Sequence, residues 1–209
     1  HYHIELADDW QWEATGLTLP ELKVKTDQCT LVNLNNTQVT WWNTHSLDVE
    51  KASLNYDCLT HLPSDNAENT PPNLTALWAA LPISDVKVKH VQLTNTDALR
   101  QAALQPFLSA DWALDANYNG NQLALEVQAN NDGLELHHQS TITPRDGIFQ
   151  WTGNTDIKQS GDKTYNLHFT ANFEPDLSQL PQQGNVLFNW NNPELAVTKG
   201  EAKVSWQGA

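Results

Sequence analysis

Methionine and long apolar runs are absent from this chain, and cysteine is rare. None of its 209 residues is methionine, and no stretch reaches the roughly 18 consecutive apolar residues that a transmembrane helix needs. Because a complete reading frame starts with methionine, we expect a preceding segment, a signal peptide or a membrane anchor, to be missing from this chain.

Positive charge is also scarce. Eleven Lys and Arg residues stand against 25 Asp and Glu residues, which gives a formal net charge of −14. Such a surface repels nucleic-acid phosphates and anionic lipid headgroups. We therefore expect no nucleic-acid partner, and the charge is typical of a soluble surface.

The sequence contains no recognisable catalytic motif. Neither a nucleophile elbow, a P-loop nor a dinucleotide fingerprint occurs. The carboxylates are scattered, and close pairs such as Asp111 and Asp115 are common by chance in an acidic chain. His137 and His138 are neighbours in a predicted strand, so their side chains point to opposite faces and do not share one metal. We predict a protein that is not an enzyme and that uses no cofactor or metal.

The two cysteines, Cys29 and Cys58, are too few for a zinc site of the usual kind. They form either a disulfide or two free thiols, and the disulfide is favoured if the protein is exported. Such a bond would close a loop of about 30 residues and stabilise the fold by about 3.5 kcal/mol in the chain-entropy model.

Most of the chain alternates apolar and polar residues, which is typical of half-buried strands. Strands are predicted at 22–26, 29–34, 37–42, 47–56 and 85–93, with Asn35-Asn36 as a break. From residue 123 onwards, strands alternate with turn signals at Asn131-Asp132-Gly133, Pro144-Arg145-Asp146-Gly147 and 159–163. The fold class is therefore mostly β: a long antiparallel curved sheet, as a meander, open groove or partial barrel.

One or two short helices are expected beside the sheet. Leu74, Leu77, Trp78 and Leu81 have the i, i+3, i+4, i+7 spacing of one helical face, and Pro82 ends the segment. We predict that this face is buried against the sheet. A second, weaker helical segment covers residues 97–105.

The later strands carry an apolar and aromatic face that is the candidate site. Its members share one property, an apolar side chain with polar neighbours before and after it. They are Leu123, Leu125, Val127, Leu134, Leu136, Phe149, Trp151, Leu167, Phe169, Phe173, Val186, Phe188 and Trp190. The pattern alone favours an ordinary core between two sheets. The alternative is an open groove whose apolar wall contacts lipid acyl chains.

The first ninety-odd residues resemble the YdbH family of AsmA-like envelope proteins, which are implicated in intermembrane phospholipid transport. The resemblance rests on the order of its landmarks, each of which is weak alone. They are Gly16-Leu17-x-Leu19-Pro20-x-Leu22, Cys29-x-Leu31, Asn36, Trp42, Leu47-x-Val49, Leu54, Cys58-Leu59-x-x-Leu62-Pro63, Pro72, Leu74, Trp78 and Ala80-Leu81-Pro82. The matched cysteines add support for the disulfide.

The resemblance implies a periplasmic β-structure, held at the inner membrane by an N-terminal helix that this chain lacks. It implies a groove along which phospholipids move towards the outer membrane, and it shifts our preference to the open groove. The implied partners are phospholipid acyl chains, the remainder of the same polypeptide, and an outer-membrane lipoprotein at a C-terminal end that this chain does not include.

We expect residues 1–209 to form one β-rich domain, with a disulfide-containing section at 1–95 and an antiparallel meander at 96–209. Two other functions stay open. One is a structural or assembly domain of the envelope, such as a secretion-system accessory protein. The other is an enzyme, which would need a pocket with convergent titratable groups.

Overall fold

Strands dominate the computed structural model, which describes residues 2–42, 45–60, 75, 78, 84–94, 105–175 and 183–207. The strands within these ranges are β1 (Tyr2–Leu6), β2 (Gln11–Glu13), β3 (Gly16–Thr26), β4 (Thr30–Thr40), β5 (Ser46–Asn55), β6 (Asp85–Thr94), β7 (Asp111–Tyr118), β8 (Leu123–Asn131), β9 (Leu134–Arg145), β10 (Ile148–Gln159), β11 (Lys163–Phe173), β12 (Gln183–Asn191) and β13 (Lys199–Gln207). Two short helices are α1 (Tyr56–Thr60) and α2 (Gln105–Leu108).

The strands follow one another in the sheet almost in chain order. The order runs from β1 through β3 to β13, and β2 pairs with β3 beside β1. Among the described strands, β1 and β13 end this order without pairing to each other, so the sheet does not close into a barrel. The predicted fold class, a long and mostly antiparallel sheet with short helices, is confirmed.

One strand pair departs from the antiparallel arrangement. Strands β5 and β6 are parallel, with Ser46 opposite Asp85 and Asn55 opposite Thr94. The connection between them spans residues 56–84, which is long enough to return the chain to the starting end of β5. Parallel pairing requires a crossover of this length, whereas antiparallel pairing needs only a tight turn.

The chain divides into two compact units. The first unit consists of His1–Ala67, Ile83–Asp115 and Ala129–Asn131, and the second consists of Glu68–Pro82, Ala116–Gln128 and Asp132–Ala209. In the first unit, the core is a cluster of Val49, Ala52 and Val88. The half-buried side chains around it come from β4, β5, β6 and β7: Leu34, Leu47, Val86, Val91 and Leu114.

The core side chains of the first unit do not follow a strict two-residue period. Val49 and Ala52 are three residues apart in β5, so strict alternation would place their side chains on opposite faces of the sheet. Both nevertheless belong to the same cluster. Each of four strands shows the same three-residue step at the same register: Leu19 to Leu22 in β3, Leu34 to Thr37 in β4, Val49 to Ala52 in β5, and Val88 to Val91 in β6. These four strands therefore change which residues face inward, from odd to even positions or the reverse, along one line that crosses β3 to β6.

The break that we predicted at Asn35-Asn36 is wrong, because β4 runs without interruption from Thr30 to Thr40. Asn36 lies on the line of the parity change and has a φ of 51°. Asn is among the few residues other than Gly that adopt this left-handed conformation readily. The Asn-Asn signal is thus real, but it marks a local irregularity inside a strand instead of a turn between two strands.

The predicted disulfide is present. Cys29 and Cys58 are bonded, with 5.9 Å between their Cα atoms. Cys29 directly precedes β4, and Cys58 lies in α1 just after β5. The bond therefore links the start of β4 to the end of β5 within the first unit.

The turns of the second unit follow the sequence closely. Strand β8 ends at Asn131 and β9 begins at Leu134, as the Asn-Asp-Gly signal predicted. Asp146 and Gly147 have positive φ values of 50° and 82° and connect β9 to β10. Gly161 and Asp162, at 82° and 60°, connect β10 to β11. Two central residues with φ above zero suit the right-handed twist of a hairpin.

The helix predictions fall mostly outside the described residues. Leu74, Leu77 and Leu81 lie outside them, and the burial of that helical face stays a prediction. Thr75 and Trp78 are described and are helical. The second segment, 97–105, is also largely outside, and the described α2 begins at Gln105 and ends at Leu108.

Candidate functional site

The register of β9 to β13 brings the predicted apolar side chains onto one face of the second unit. Cross-strand partners share a face, and one row runs through Leu136, Ile157, Tyr165 and Trp190. The other members follow by alternation. We call this surface the apolar face, and its members among the predicted residues are Leu134, Leu136, Phe149, Trp151, Leu167, Phe169, Phe173, Val186, Phe188 and Trp190.

Strand β8 contributes to the same face. Glu126 Oε1 lies 3.0 Å from His137 Nε2, so these two side chains share a face. His137 alternates with Leu136 and therefore belongs to the opposite, polar face. Leu125 and Val127 alternate with Glu126, which places them, and Leu123 by the same step, on the apolar face.

The opposite face is lined largely by polar and charged side chains, several of which bond across strands. Asn166 Nδ2 donates to Asn154 Oδ1 at 3.0 Å and to Asp156 Oδ1 at 2.7 Å. Thr141 and Thr152 join their hydroxyls at 2.9 Å. These contacts satisfy the polar groups on their own side, so this face needs no covering layer.

The apolar face is covered only in part. Leu134 is 1% exposed and Phe149 is 3% exposed, but the other eleven of the thirteen predicted residues are half-buried. A core between two sheets buries such side chains almost completely. The burial within the second unit therefore differs from that of a closed sandwich core.

A network of aromatic contacts begins at one end of the apolar face. The Trp78 ring lies 5.3 Å from that of Phe149 and 5.1 Å from that of Tyr118. Trp78 also donates from Nε1 to the Gly120 carbonyl oxygen at 3.0 Å, and its own carbonyl accepts from the Tyr118 hydroxyl at 2.8 Å. Trp78 is thereby fixed in place by both its polar and its apolar parts.

Further ring contacts continue along the face. Trp151 meets Phe169 edge-on at 5.1 Å and lies 6.1 Å from Phe173. Phe188 stacks between Tyr165, at 6.2 Å, and Trp190, at 5.8 Å. Ring pairs at these separations add stabilisation beyond the burial of their area. The face thus presents aromatic carbon over most of its length.

Three of the rings lie over glycines on the neighbouring strand. The direct partners are Gly153 with Phe169, Gly184 with Trp206, and Gly200 with Trp190. A Cβ atom on Gly153 would lie 2.6 Å from Phe169 Cε1, and a Cβ on either of the other glycines would collide with its indole ring. Only glycine leaves room for a ring to approach the backbone of the next strand this closely.

A small polar cluster is set into the apolar face. His138 places Nδ1 2.8 Å from Thr155 Oγ1 and Nε2 2.9 Å from Ser140 Oγ, and its ring stacks on Phe169 at 6.1 Å. Burial, and to a lesser degree the charge of His137, lowers the pKa of His138 from 6.5. This shift favours the neutral form of the ring, which suits an apolar surface.

A comparison with protein families identifies the chain. Residues 2–208 match the family described as YdbH-like, intermembrane phospholipid transport protein YdbH. The chain belongs to this family. No curated protein and no solved structure gives a significant match. The sequence resemblance, which covered the first ninety-odd residues, is thereby confirmed and extends through the later strands.

Membership of the YdbH-like family indicates transport of phospholipids between membranes, which is not an enzymatic activity. Within the described ranges, no three His, Cys, Asp or Glu side chains come together as metal ligands would. No helix in those parts of the chain is long and apolar enough to span a bilayer.

Five further residues share the apolar face by register, although they were not among the predicted lipid-contacting residues. They are Ile142, Ile157, Tyr165, Val204 and Trp206. The alternating pattern of the sequence already favours an apolar face for Tyr165, Val204 and Trp206. Ile142 continues the alternation that begins at Leu134, but the two polar residues on the same face before it, His138 and Ser140, hid it. The signal for the rings beside the glycines was a glycine opposite an aromatic residue, which becomes visible only when the strand register is known.

Proposed function

We propose that phospholipid acyl chains lie along the apolar face, and that this chain is a section of a periplasmic path between the inner and outer membranes. The observation that carries the proposal is the incompletely buried apolar face, continuous in register from β9 to β13, in a member of a phospholipid transport family. An acyl chain would complete the burial that the protein leaves incomplete.

The chemistry of the face suits a hydrocarbon ligand. Each methylene removed from water contributes about 0.8 kcal/mol, and this contribution has no directional requirement. A chain can therefore slide along the face without breaking hydrogen bonds. The aromatic rings that lie close against Gly153, Gly184 and Gly200 add apolar surface to this face.

The rest of the path belongs to the same proposal. An inner-membrane anchor and the remainder of the polypeptide would extend the surface beyond this chain, and an outer-membrane lipoprotein would meet its far end. Lipid transfer requires neither a nucleophile nor a metal, so a face built from Leu, Val, Phe and Trp is consistent with it.

The test places a charge on the apolar face and on the polar face of the same strands. The variants are Leu125→Asp in β8 and Phe169→Asp in β11, and the matched controls are Gln128→Asp and His168→Asp, whose side chains are exposed. Each purified protein is measured for its melting temperature and for bound phospholipid by solvent extraction and mass spectrometry. The substitutions are also introduced into the full-length protein to measure transport.

We expect Leu125→Asp and Phe169→Asp to fold, to lose bound phospholipid and to stop transport, while the controls keep all three properties. An open wall can hydrate a carboxylate, whereas an unpaired charge in a closed core is very costly. Loss of folding in both face variants would favour a packed structural or assembly domain. Folded variants with normal lipid content would remove these residues from the path.

A further inference from the structure

The outer edge of the first unit exposes large apolar side chains. Ile4 is 69% exposed, Trp12 67% and Trp42 66%, and Leu6 and Trp10 are each about half exposed. We call these five residues the Trp edge. Three of them lie on β1 and β2, the strands that flank β3 at the end of the sheet, and Trp10 immediately precedes β2.

Three of these side chains continue apolar rows of the neighbouring strand β3. Ile4 lies opposite Val24, Leu6 opposite Leu22, and Trp12 opposite Leu17. The rows of Leu17 and Leu22 continue across β4 and β5 into the core side chains of the first unit. Ile4, Leu6 and Trp12 are therefore the solvent-exposed end of an apolar layer whose other end is buried.

Trp12 and Trp42 of the Trp edge lie beside Trp41, which is itself held in place. The rings of Trp12 and Trp41 lie 4.8 Å apart. The Trp41 amide donates to the Thr15 carbonyl oxygen at 3.2 Å, which holds Trp41 and the adjacent Trp42 beside the turn between β2 and β3. The exposed indoles thus belong to an anchored structure, and their exposure is a property of the strand arrangement.

An edge of indoles and aliphatic side chains matches one environment closely. Tryptophan prefers the headgroup level of a bilayer, where its ring is in contact with hydrocarbon and its N–H with polar groups. A soluble protein rarely leaves several large apolar residues together in water unless they meet a partner or a membrane.

The charges around the edge restrict the kind of membrane. Asp8 and Asp9 are exposed between β1 and Trp10. Glu5 and Glu13 alternate with Leu6 and Trp12 and so lie on the opposite face of their strands, where Glu5 Oε2 is 2.6 Å from Lys25 Nζ. The carboxylates of Asp8 and Asp9 repel anionic headgroups, so the edge favours a zwitterionic surface over an acidic one.

We propose that the Trp edge inserts into the headgroup region of a zwitterionic lipid bilayer. The inference rests on the proposed function in one respect: a protein that carries phospholipids has to contact a membrane to receive or deliver them. It adds the place of contact, which is in the first unit, while the proposed acyl-chain surface is in the second.

The experiment measures flotation of the purified protein with vesicles of phosphatidylcholine, and with vesicles in which part of it is replaced by phosphatidylglycerol. The test variant is Trp12→Ser/Trp42→Ser. The matched control is Leu195→Ser/Val197→Ser, which removes two apolar side chains of comparable exposure from a loop of the second unit. Melting temperature and bound phospholipid are recorded for every protein.

We expect the wild type and the control to float with phosphatidylcholine vesicles, and the partition of the test variant to fall roughly tenfold or more because two membrane-anchoring rings are lost. Its bound phospholipid should stay unchanged, and its melting temperature should fall by only a few degrees, because the contact between the Trp12 and Trp41 rings is lost. Adding phosphatidylglycerol should weaken wild-type binding.

Three results would overturn the inference: no flotation of the wild type, equal flotation of the test variant, or tighter binding to the anionic vesicles. A wild-type dimer that the test variant abolishes, without vesicle binding, would assign the edge to a second copy of the chain and also overturn it.

Phe169→Asp separates the two proposals, because it should float normally even though its bound lipid is lost. Loss of lipid in that variant is a test of the acyl-chain surface alone.

Discussion

Glycine opposite an aromatic ring is the feature at the residue scale that shapes the apolar face. At Gly184 and Gly200, the indole of the partner strand occupies the space that any side chain would fill. The Trp190 indole that covers Gly200 also donates to the Val197 carbonyl oxygen at 3.0 Å. The glycine therefore fixes both the height of the ring above the sheet and the position of its polar end.

Gly200→Val tests this arrangement. The new Cβ has no room beside the Trp190 ring, so the ring must lift and its hydrogen bond to Val197 must lengthen. We expect a loss of about 1–3 kcal/mol in the free energy of unfolding, the usual range for overpacking. Denaturant titration followed by tryptophan fluorescence measures it.

Ala202→Val is the control for that substitution. Ala202 is two residues further along β13, on the same face, and is exposed. Its replacement should change stability by less than about 0.5 kcal/mol, as is usual for surface sites. An equal loss in both variants would show that valine disturbs the strand itself and that the ring has no special role.

At the element scale, the line of parity change across β3 to β6 is the largest departure from a regular sheet. Along each of these strands, successive residues of the apolar rows are two, three and then two positions apart. The two residues inside the three-residue step are Pro20 and Glu21 in β3 and Asn35 and Asn36 in β4, with equivalent pairs in β5 and β6. All four strands take the step together, which keeps their cross-strand pairs in register.

Asn36→Val tests whether the left-handed residue allows this step. A β-branched residue at a φ of 51° is strained, and the left-handed conformation costs roughly 1–2 kcal/mol for an ordinary side chain. We expect a loss of that size on thermal or chemical unfolding. Asn36→Gly should be close to neutral because glycine tolerates the conformation.

Gln38→Val is the matched control, because Gln38 is exposed on the same strand with no such constraint. Valine suits a strand there, so its stability should be maintained or slightly raised. If Asn36→Val were as stable as Gln38→Val, the parity change would not depend on the backbone conformation of residue 36.

The elements that the sequence predicted well are those set by local chemistry. Asp146-Gly147 and Asn131–Gly133 define hairpin turns by their own conformational preferences, and the alternation between them places Leu134 and Leu136 correctly. The features that were missed are set by distant partners. Nothing near Ser46 indicates a parallel neighbour at Asp85, and the two-residue period cannot show a step that four strands take together.

At the scale of the whole molecule, each unit has its own layer of apolar side chains, with a few buried members and half-buried ones around them. In the first unit, Val49, Ala52 and Val88 are buried and the apolar side chains packed against them are half-buried. In the second unit, Leu134 and Phe149 are buried and the other predicted residues of the apolar face are half-buried. Acyl chains bound to the second layer would complete its burial.

Removal of lipid tests, for the protein as a whole, whether acyl chains cover the apolar face. If acyl chains bind the native apolar face and not the unfolded chain, bound lipid raises stability by RT ln(1 + [L]/Kd), which is about 2.7 kcal/mol at a hundred times the dissociation constant. For a chain of this size, that corresponds to roughly 5–10 °C in the melting temperature. We therefore expect delipidated protein to melt lower than protein purified with its lipid, and a short-chain phosphatidylcholine, added as monomers, to restore the higher value.

Phe169→Asp should not respond to the added lipid, whereas Trp12→Ser/Trp42→Ser should respond like the wild type, because its apolar face is intact. A melting temperature that is the same with and without lipid in the wild type would mean that acyl chains do not cover the apolar face.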